Sequence, residues 1–328
     1  MKKLKLGVLG VSDHFVKRII LPLSKSNKVE LYGVASRTAE KAKAASEKWG
    51  IPKHYSSYED LLNDEVIDAV YIPLPNHEHL KWIKKSADAK KHIICEKPLT
   101  MNVEEALEVI NYVKDKNIKV MEAFMYRFHP KWKRAKELIK YGEVGKVTAI
   151  HTTFNYTNSD PNNIRNRKEC GGGALMDIGC YAVSTACYLL DEFPKRVVSL
   201  MEKHPNFDTD AISSGILDYS NARCLFTTST SSFPQQDVKI YGTSGSITIK
   251  IPFNDFNDVE GELIVNNALG ERVVTFDPVY QYQLEFEDFA EAIQQDREVE
   301  VSLEESYGNM KILDALRKSS EESVWVEL

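Results

Sequence analysis

No stretch of this chain reaches the roughly 18 consecutive apolar residues that a membrane-crossing helix needs, so the protein is expected to stay in water. Basic charge is also in short supply: 42 Lys and Arg stand against 48 Asp and Glu, a formal net charge of −6. Nucleic-acid binders concentrate positive charge, so this deficit points to a small-molecule partner instead. Cysteine is sparse and scattered. The five, Cys95, Cys170, Cys180, Cys187 and Cys224, contain no C-x-x-C pair. Such a set fits neither a disulfide framework nor a structural zinc site, and a reducing cytoplasm is the expected home. Lys2, Lys3 and Lys5 precede an apolar run that is short and ends in a glycine turn, which reads as a first strand and not as a leader.

What is there is an ordinary globular composition, 43% hydrophobic and 27% charged, over 328 residues. A single core stops growing at roughly 250–300 residues, so two domains are expected. Short apolar runs at residues 4–9, 29–35, 69–72, 92–95 and 119–122 alternate with helix-patterned segments at 38–49, 58–63, 78–89 and 103–116. That alternation marks β-α-β units around a parallel sheet covered on both faces. After about Arg127 the pattern changes to one helix, 130–141, then longer alternating strands such as 147–155, 211–219 and 223–229, and closing helices at 285–295 and 303–317. The fold class read from this is α/β: a Rossmann-type, doubly wound parallel sheet over residues 1–122, then an α+β domain over 123–328 with a large, mainly antiparallel open sheet.

The turn after the first strand reads Gly7-Val8-Leu9-Gly10-Val11-Ser12-Asp13-His14-Phe15, a degenerate G-x-G-x-x-G. Gly10 can supply the tight turn and Ser12 a hydroxyl where the second glycine normally stands. Phe15 occupies a place usually kept small for close helix packing. Gly10, Ser12, Asp13, His14 and Phe15 are therefore candidate cofactor contacts around a helix N-terminus suited to phosphate. The second strand ends in Ser36-Arg37-Thr38, with no acid to grip a ribose 2′-hydroxyl. A guanidinium flanked by hydroxyls suits a 2′-phosphate, so NADP is expected ahead of NAD. Pro73, Leu74, Asn76 and His79 follow the next parallel strand, at the carboxyl edge where such sheets bind ligands. His77 and His79 lack the i, i+4 spacing of a helical metal pair, and no metal is expected.

Ile94-Cys95-Glu96-Lys97-Pro98 and Gly171-Gly172-Gly173-Ala174-Leu175-Met176-Asp177-Ile178-Gly179-Cys180-Tyr181 carry a resemblance, with Tyr71-Ile72-Pro73-Leu74-Pro75-Asn76-His77-Glu78-His79, Glu122-Ala123-Phe124-Met125-Tyr126-Arg127-Phe128-His129-Pro130 and Asn163-Ile164-Arg165. Together they resemble the Gfo/Idh/MocA oxidoreductase family over nearly the whole chain, in the branch of glucose-fructose oxidoreductase, D-xylose dehydrogenase and dimeric dihydrodiol dehydrogenase. The resemblance implies that Lys97 sits beside a nicotinamide, where an ammonium stabilises alkoxide character on the reacting oxygen. It implies that Glu96 binds ribose hydroxyls and that a cis bond precedes Pro98. Asp177 and Tyr181 are four apart, which on a regular helix places both on one face, with the glycines before them leaving room for substrate. By resemblance Tyr181 is the general acid–base. Arg127, His129 and Arg165 are implied contacts to substrate or cofactor. The polar loop at 161–167 is expected to shield the nicotinamide, and Tyr280 and Tyr282 to border the sugar.

The resulting expectation is an NAD(P)-dependent oxidoreductase exchanging hydride with a carbinol or ketone carbon of a sugar or polyol. An open sheet left wet on one side is an association liability, so a homodimer or homotetramer through that sheet is expected. Two rivals remain open. An NADPH-dependent ketoreductase of a nucleotide-linked keto-sugar, or a dihydrodiol dehydrogenase, would use the same residues. A non-catalytic dinucleotide-sensing regulator would have no need of Lys97, Asp177 and Tyr181 together.

Overall fold

The computed structural model describes residues 2–328, in two compact units. The first runs to Met125 and includes Tyr280–Tyr307; the second comprises Tyr126–Val279 and Gly308–Leu328.

Six parallel strands make the first unit's sheet: β1 (Leu4–Leu9), β2 (Val29–Ala35), β3 (Lys53–Tyr55), β4 (Ala69–Ile72), β5 (His92–Glu96) and β6 (Val120–Ala123), in the order β3-β2-β1-β4-β5-β6. This is the doubly wound order in which carboxyl ends line one ligand-binding edge. β4 is buried at all four positions, which is why it reads as an unbroken apolar run and not as an alternation. The polar edge strand β3 carries no such signature and was not visible in the sequence. It packs against Gly33, where a Cβ would meet the Tyr55 ring at 2.7 Å.

The helix Gln281–Gln294 belongs to this unit, although it was expected to close the second domain. Glu291 pairs with Lys28 at 2.5 Å, Glu287 accepts from the Ser26 hydroxyl at 2.7 Å, and Phe286 packs edge-on against Tyr71. A single cut near residue 122 therefore does not describe the partition.

The second unit holds a nine-stranded sheet of β7 (Val147–Thr157), β8 (Arg196–Lys203), β9 (Asp210–Asp218), β10 (Arg223–Ser229), β11 (Ser231–Gly242), β12 (Gly245–Lys250), β13 (Gly261–Asn267), β14 (Gly270–Phe276) and β15 (Val326–Glu327). The order is β14-β13-β12-β11-β7-β10-β9-β8-β15, antiparallel throughout except where β7 meets β10. Burial alternates along β7 and β10, as expected of a sheet covered on one face only. Helices Pro130–Lys140 and Cys180–Leu190 cover that face. The helical stretch Lys168–Leu190 has the length and mean hydropathy, 1.3, of a membrane span, yet 94% of its apolar window is buried in protein, which makes it a core helix. On the other face Leu200 is 74% exposed.

Candidate active site

Four strand ends assemble the candidate cofactor edge of the first unit. Gly10 follows β1 with φ 121°, a conformation L side chains avoid. Ser12 caps the first helix by accepting from the Phe15 N–H at 3.1 Å. Asp13 is exposed and pairs outward with Lys17. Phe15 is fully buried, so only its backbone belongs near the turn, and the helix opens there as a π-turn, Phe15–Ile19. After β2, Ser36 is buried while Arg37 is exposed and has no ion-pair partner among the described residues. Thr38 is extended and makes no side-chain cap. Pro73, Leu74 and Asn76 follow β4, with the Leu74 side chain 3.0 Å from where a Cβ on Gly10 would stand. A turn closed to side chains, an unpaired guanidinium and no acid after β2 fit a dinucleotide bearing a 2′-phosphate.

At the end of β5, Glu96 Oε1 accepts from the Tyr71 hydroxyl at 2.6 Å and lies 3.3 Å from His14 Nε2, a contact too poorly aligned for a hydrogen bond. Burial would raise the Glu96 carboxyl; His14, Lys97 and Tyr71 outweigh it and hold the group at about 2. It is therefore an ionised acceptor. Glu285 is fully buried behind it with neither oxygen hydrogen-bonded, and burial plus the Glu96 charge push it well above the carboxylate range. Tyr282 packs edge-on against His14. The Lys97–Pro98 bond is cis, and Glu122 Oε1 accepts from the Leu99 N–H at 2.8 Å just beyond it. His79 does not face a pocket. It is fully buried, with ring nitrogens at 2.9–3.3 Å from the carbonyls of Leu74, Pro98 and Leu99, so it ties the loops after β4 and β5 together. Burial pushes its pKa down, against the neighbouring carbonyls, which favour the charged ring.

In the second unit, the helix that carries Asp177 and Tyr181 begins as another π-turn, Leu175–Gly179. The i→i+5 bonding of that turn replaces the regular spacing assumed from sequence. Gly172 and Gly173 make room for the chain's own atoms: a Cβ would lie 2.4 Å from the Arg165 carbonyl oxygen and 1.9 Å from Asp210 Oδ1, respectively. Their N–H groups donate to the Arg167 and Arg165 carbonyls, pinning the 161–167 loop. Asp210, unremarked in the sequence, accepts from the Leu175 N–H at 2.7 Å and the Ser213 hydroxyl at 2.6 Å, capping the helix.

The Asp177 side chain is largely buried; Oδ2 accepts from the Tyr156 hydroxyl at 2.5 Å and Oδ1 from Arg165 Nε at 2.9 Å. Arg165, expected among the cofactor contacts, thus spends its Nε on Asp177. Burial and the Asp177 charge push the Tyr156 phenol far up, so it remains a donor. Tyr181 is 5% exposed in an aromatic cluster, its ring centroid 5.0 Å from Phe253, 5.5 Å from Phe154 and 6.0 Å from Tyr126. Arg127 is buried with its guanidinium 3.9 Å over the Tyr188 ring. His129 is buried too. Its Nδ1 accepts from the Lys131 N–H and its Nε2 lies 2.8 Å from Asp255, which also pairs with the buried Lys131. Both sequence candidates thus have structural partners inside the unit. Among the described residues no three His, Cys, Asp or Glu side chains are grouped to hold a metal.

Residues 4–124 match the family model described as "Oxidoreductase family, NAD-binding Rossmann fold", and residues 132–248 match "GFO/IDH/MocA C-terminal domain". A D-xylose 1-dehydrogenase (NADP(+)) of Haloferax volcanii is 38% identical over 98% of this chain and 99% of its own length. Aldose-aldose oxidoreductase from Caulobacter crescentus, solved with glycerol, superposes with a TM-score of 0.91 at 26% identity, covering 100% of both chains. Levoglucosan dehydrogenase, solved with NADH and levoglucosan, gives 0.90 at 27% identity, covering 99% of each.

Proposed function

The chain belongs to the Gfo/Idh/MocA oxidoreductase family, an NAD(P)-dependent group, and from that premise we propose that it interconverts an aldose or polyol and its oxidised form, with NADP preferred over NAD. The observation that carries the reading is the set Gly10, Arg37, Glu96 and Lys97 at the carboxyl ends of β1, β2 and β5. It joins a phosphate turn, an unpaired cation and an ionised hydroxyl acceptor to an amine.

Gly10, Ser12 and the backbone from Asp13 to Phe15 would hold the pyrophosphate, with His14 against it. Ser36, Arg37 and Thr38 would take the 2′-phosphate, Pro73, Leu74 and Asn76 would border the rings, and Glu96 would accept from ribose hydroxyls. The bound coenzyme supplies the hydride acceptor or donor. Lys97 donates a hydrogen bond to the reacting oxygen and stabilises its alkoxide character. Tyr181 takes or returns the hydroxyl proton, and Asp177 holds a neighbouring substrate hydroxyl. Nothing in these steps prefers one direction, so the same residues serve reduction.

Lys97→Met tests the reading. NADP-dependent turnover of D-xylose and D-glucose should fall at least about 10²-fold, while NADP affinity stays within about threefold. Unchanged turnover refutes the role of Lys97. The open face of the nine-stranded sheet is proposed as the surface of a homodimer or homotetramer, and five buried cysteines, none in a disulfide, support a reducing, cytoplasmic setting.

A further inference from the structure

We propose that Tyr156, with Arg165, clamps Asp177 as a fixed carboxylate that selects substrates presenting a hydroxyl donor beside the reacting carbon. This rests on the reading above that Asp177 meets the substrate; Tyr156 itself is a positioning residue.

Three separate elements converge on the carboxylate. Tyr156 comes from β7, which is paired on both sides, with β11 and β10. Phe154, two residues before it, is buried among the aromatic side chains, so Tyr156 continues the helix-covered face of the strand. Opposite it, β11 shifts register between Ser231 and Gln235, an irregularity of the kind that re-aims a side chain. Arg165 comes from the loop whose carbonyls are pinned by Gly172 and Gly173. Asp177 sits on the π-turn capped by Asp210.

A phenol O–H on one oxygen and a guanidinium N–H on the other both favour the ionised form. Asp177 thus serves as a hydrogen-bond acceptor on both oxygens, which leaves proton movement to Tyr181 and Lys97. Held from both oxygens, the carboxylate presents a fixed direction in which to accept from a substrate O–H and repels a carboxylate or phosphate. A substrate lacking the hydroxyl forfeits that oriented bond, and sites built to hydrogen-bond a hydroxyl discriminate strongly against analogues without it.

The test is steady-state kinetics of wild type, Tyr156→Phe, Asp177→Asn and the double variant, on D-xylose, D-glucose and their 2-deoxy and 3-deoxy analogues, with NADP. Tyr156→Phe should lower kcat/KM at least about tenfold on the parent sugar, chiefly through KM, with NADP affinity unchanged. On the analogue missing the hydroxyl that Asp177 holds, wild type is already slow and Tyr156→Phe should cost less than about twofold more. The double variant should be no worse than Asp177→Asn alone. Arg165→Met, altering a half-exposed side chain, gives the same comparison should the Phe variant fold poorly. Equal losses on every sugar, no loss at all, or additive losses overturn the clamp. Wild type that turns over none of these sugars overturns the functional reading and the clamp with it, whereas an active wild type insensitive to Tyr156→Phe overturns the clamp alone.

Discussion

Glu122 backs the Lys97 turn from within the core, and its titration has a defined sign. Burial pushes its carboxyl up to about 7, with Glu305 adding to the rise, while the Leu99 N–H and the Lys97 charge oppose it. Its Oε2 is buried without a hydrogen-bond partner; the Ser306 hydroxyl donates to the Ser302 carbonyl instead. In the unfolded chain the same group ionises near its ordinary value, so between about pH 4.5 and 7 the folded protein keeps a proton that the unfolded chain has released. Stability from this residue is complete below that window and is lost as pH rises through it, by on the order of 3 kcal/mol. Glu122→Gln should therefore gain stability relative to wild type between pH 5 and pH 8. Denaturant melts at both values check this, and a constant difference would mean that Glu122 does not titrate in the folded protein.

Both helices that begin at candidate ligand sites start as π-turns, Phe15–Ile19 and Leu175–Gly179. In the first, a fully buried Phe15 stands where close packing normally asks for a small residue. In the second, Asp210 reaches across from β9 to cap Leu175, and Gly173 has φ 113° against that carboxylate. Asp210→Ala removes the cap and leaves the Leu175 N–H unpaired. It should cost about 1–2 kcal/mol of unfolding free energy, with Asp210→Asn costing less. Melting of the Ala variant at the wild-type midpoint would show that the helix start is held by something else.

For the whole molecule, the proposed association surface is the open face of the nine-stranded sheet. Leu200 at 74% exposure and Leu225 at 36% lie on strands flanking the same stretch of sheet, where water is a poor neighbour. Leu200→Lys with Leu225→Glu should shift the protein towards monomer in size-exclusion chromatography with light scattering. An unchanged mass would move the interface elsewhere.

The strands of the first unit, the helix stops such as Gly50 and the Glu96-Lys97-Pro98 turn were legible because each is a local pattern of apolar period, turn residue or motif. β3 was not, since three polar edge residues have no period to detect. The roles of Tyr156, Asp210 and Glu285 were equally hidden, for each acts on a residue at least 21 positions away: Asp177, Leu175 and Glu96.

The sequence by itself determined the class of fold and the dinucleotide character of the first unit, and it singled out the amine, the phenol and the carboxylate on which the proposed chemistry rests. Tertiary structure alone decided that Tyr280–Tyr307 joins the first unit, that His79, Arg127 and His129 are buried with partners inside their own units, and that two donors hold Asp177. Periodicity records only which way a residue faces along its own element. Burial, charge and hydrogen-bond partnership come into being when distant elements meet.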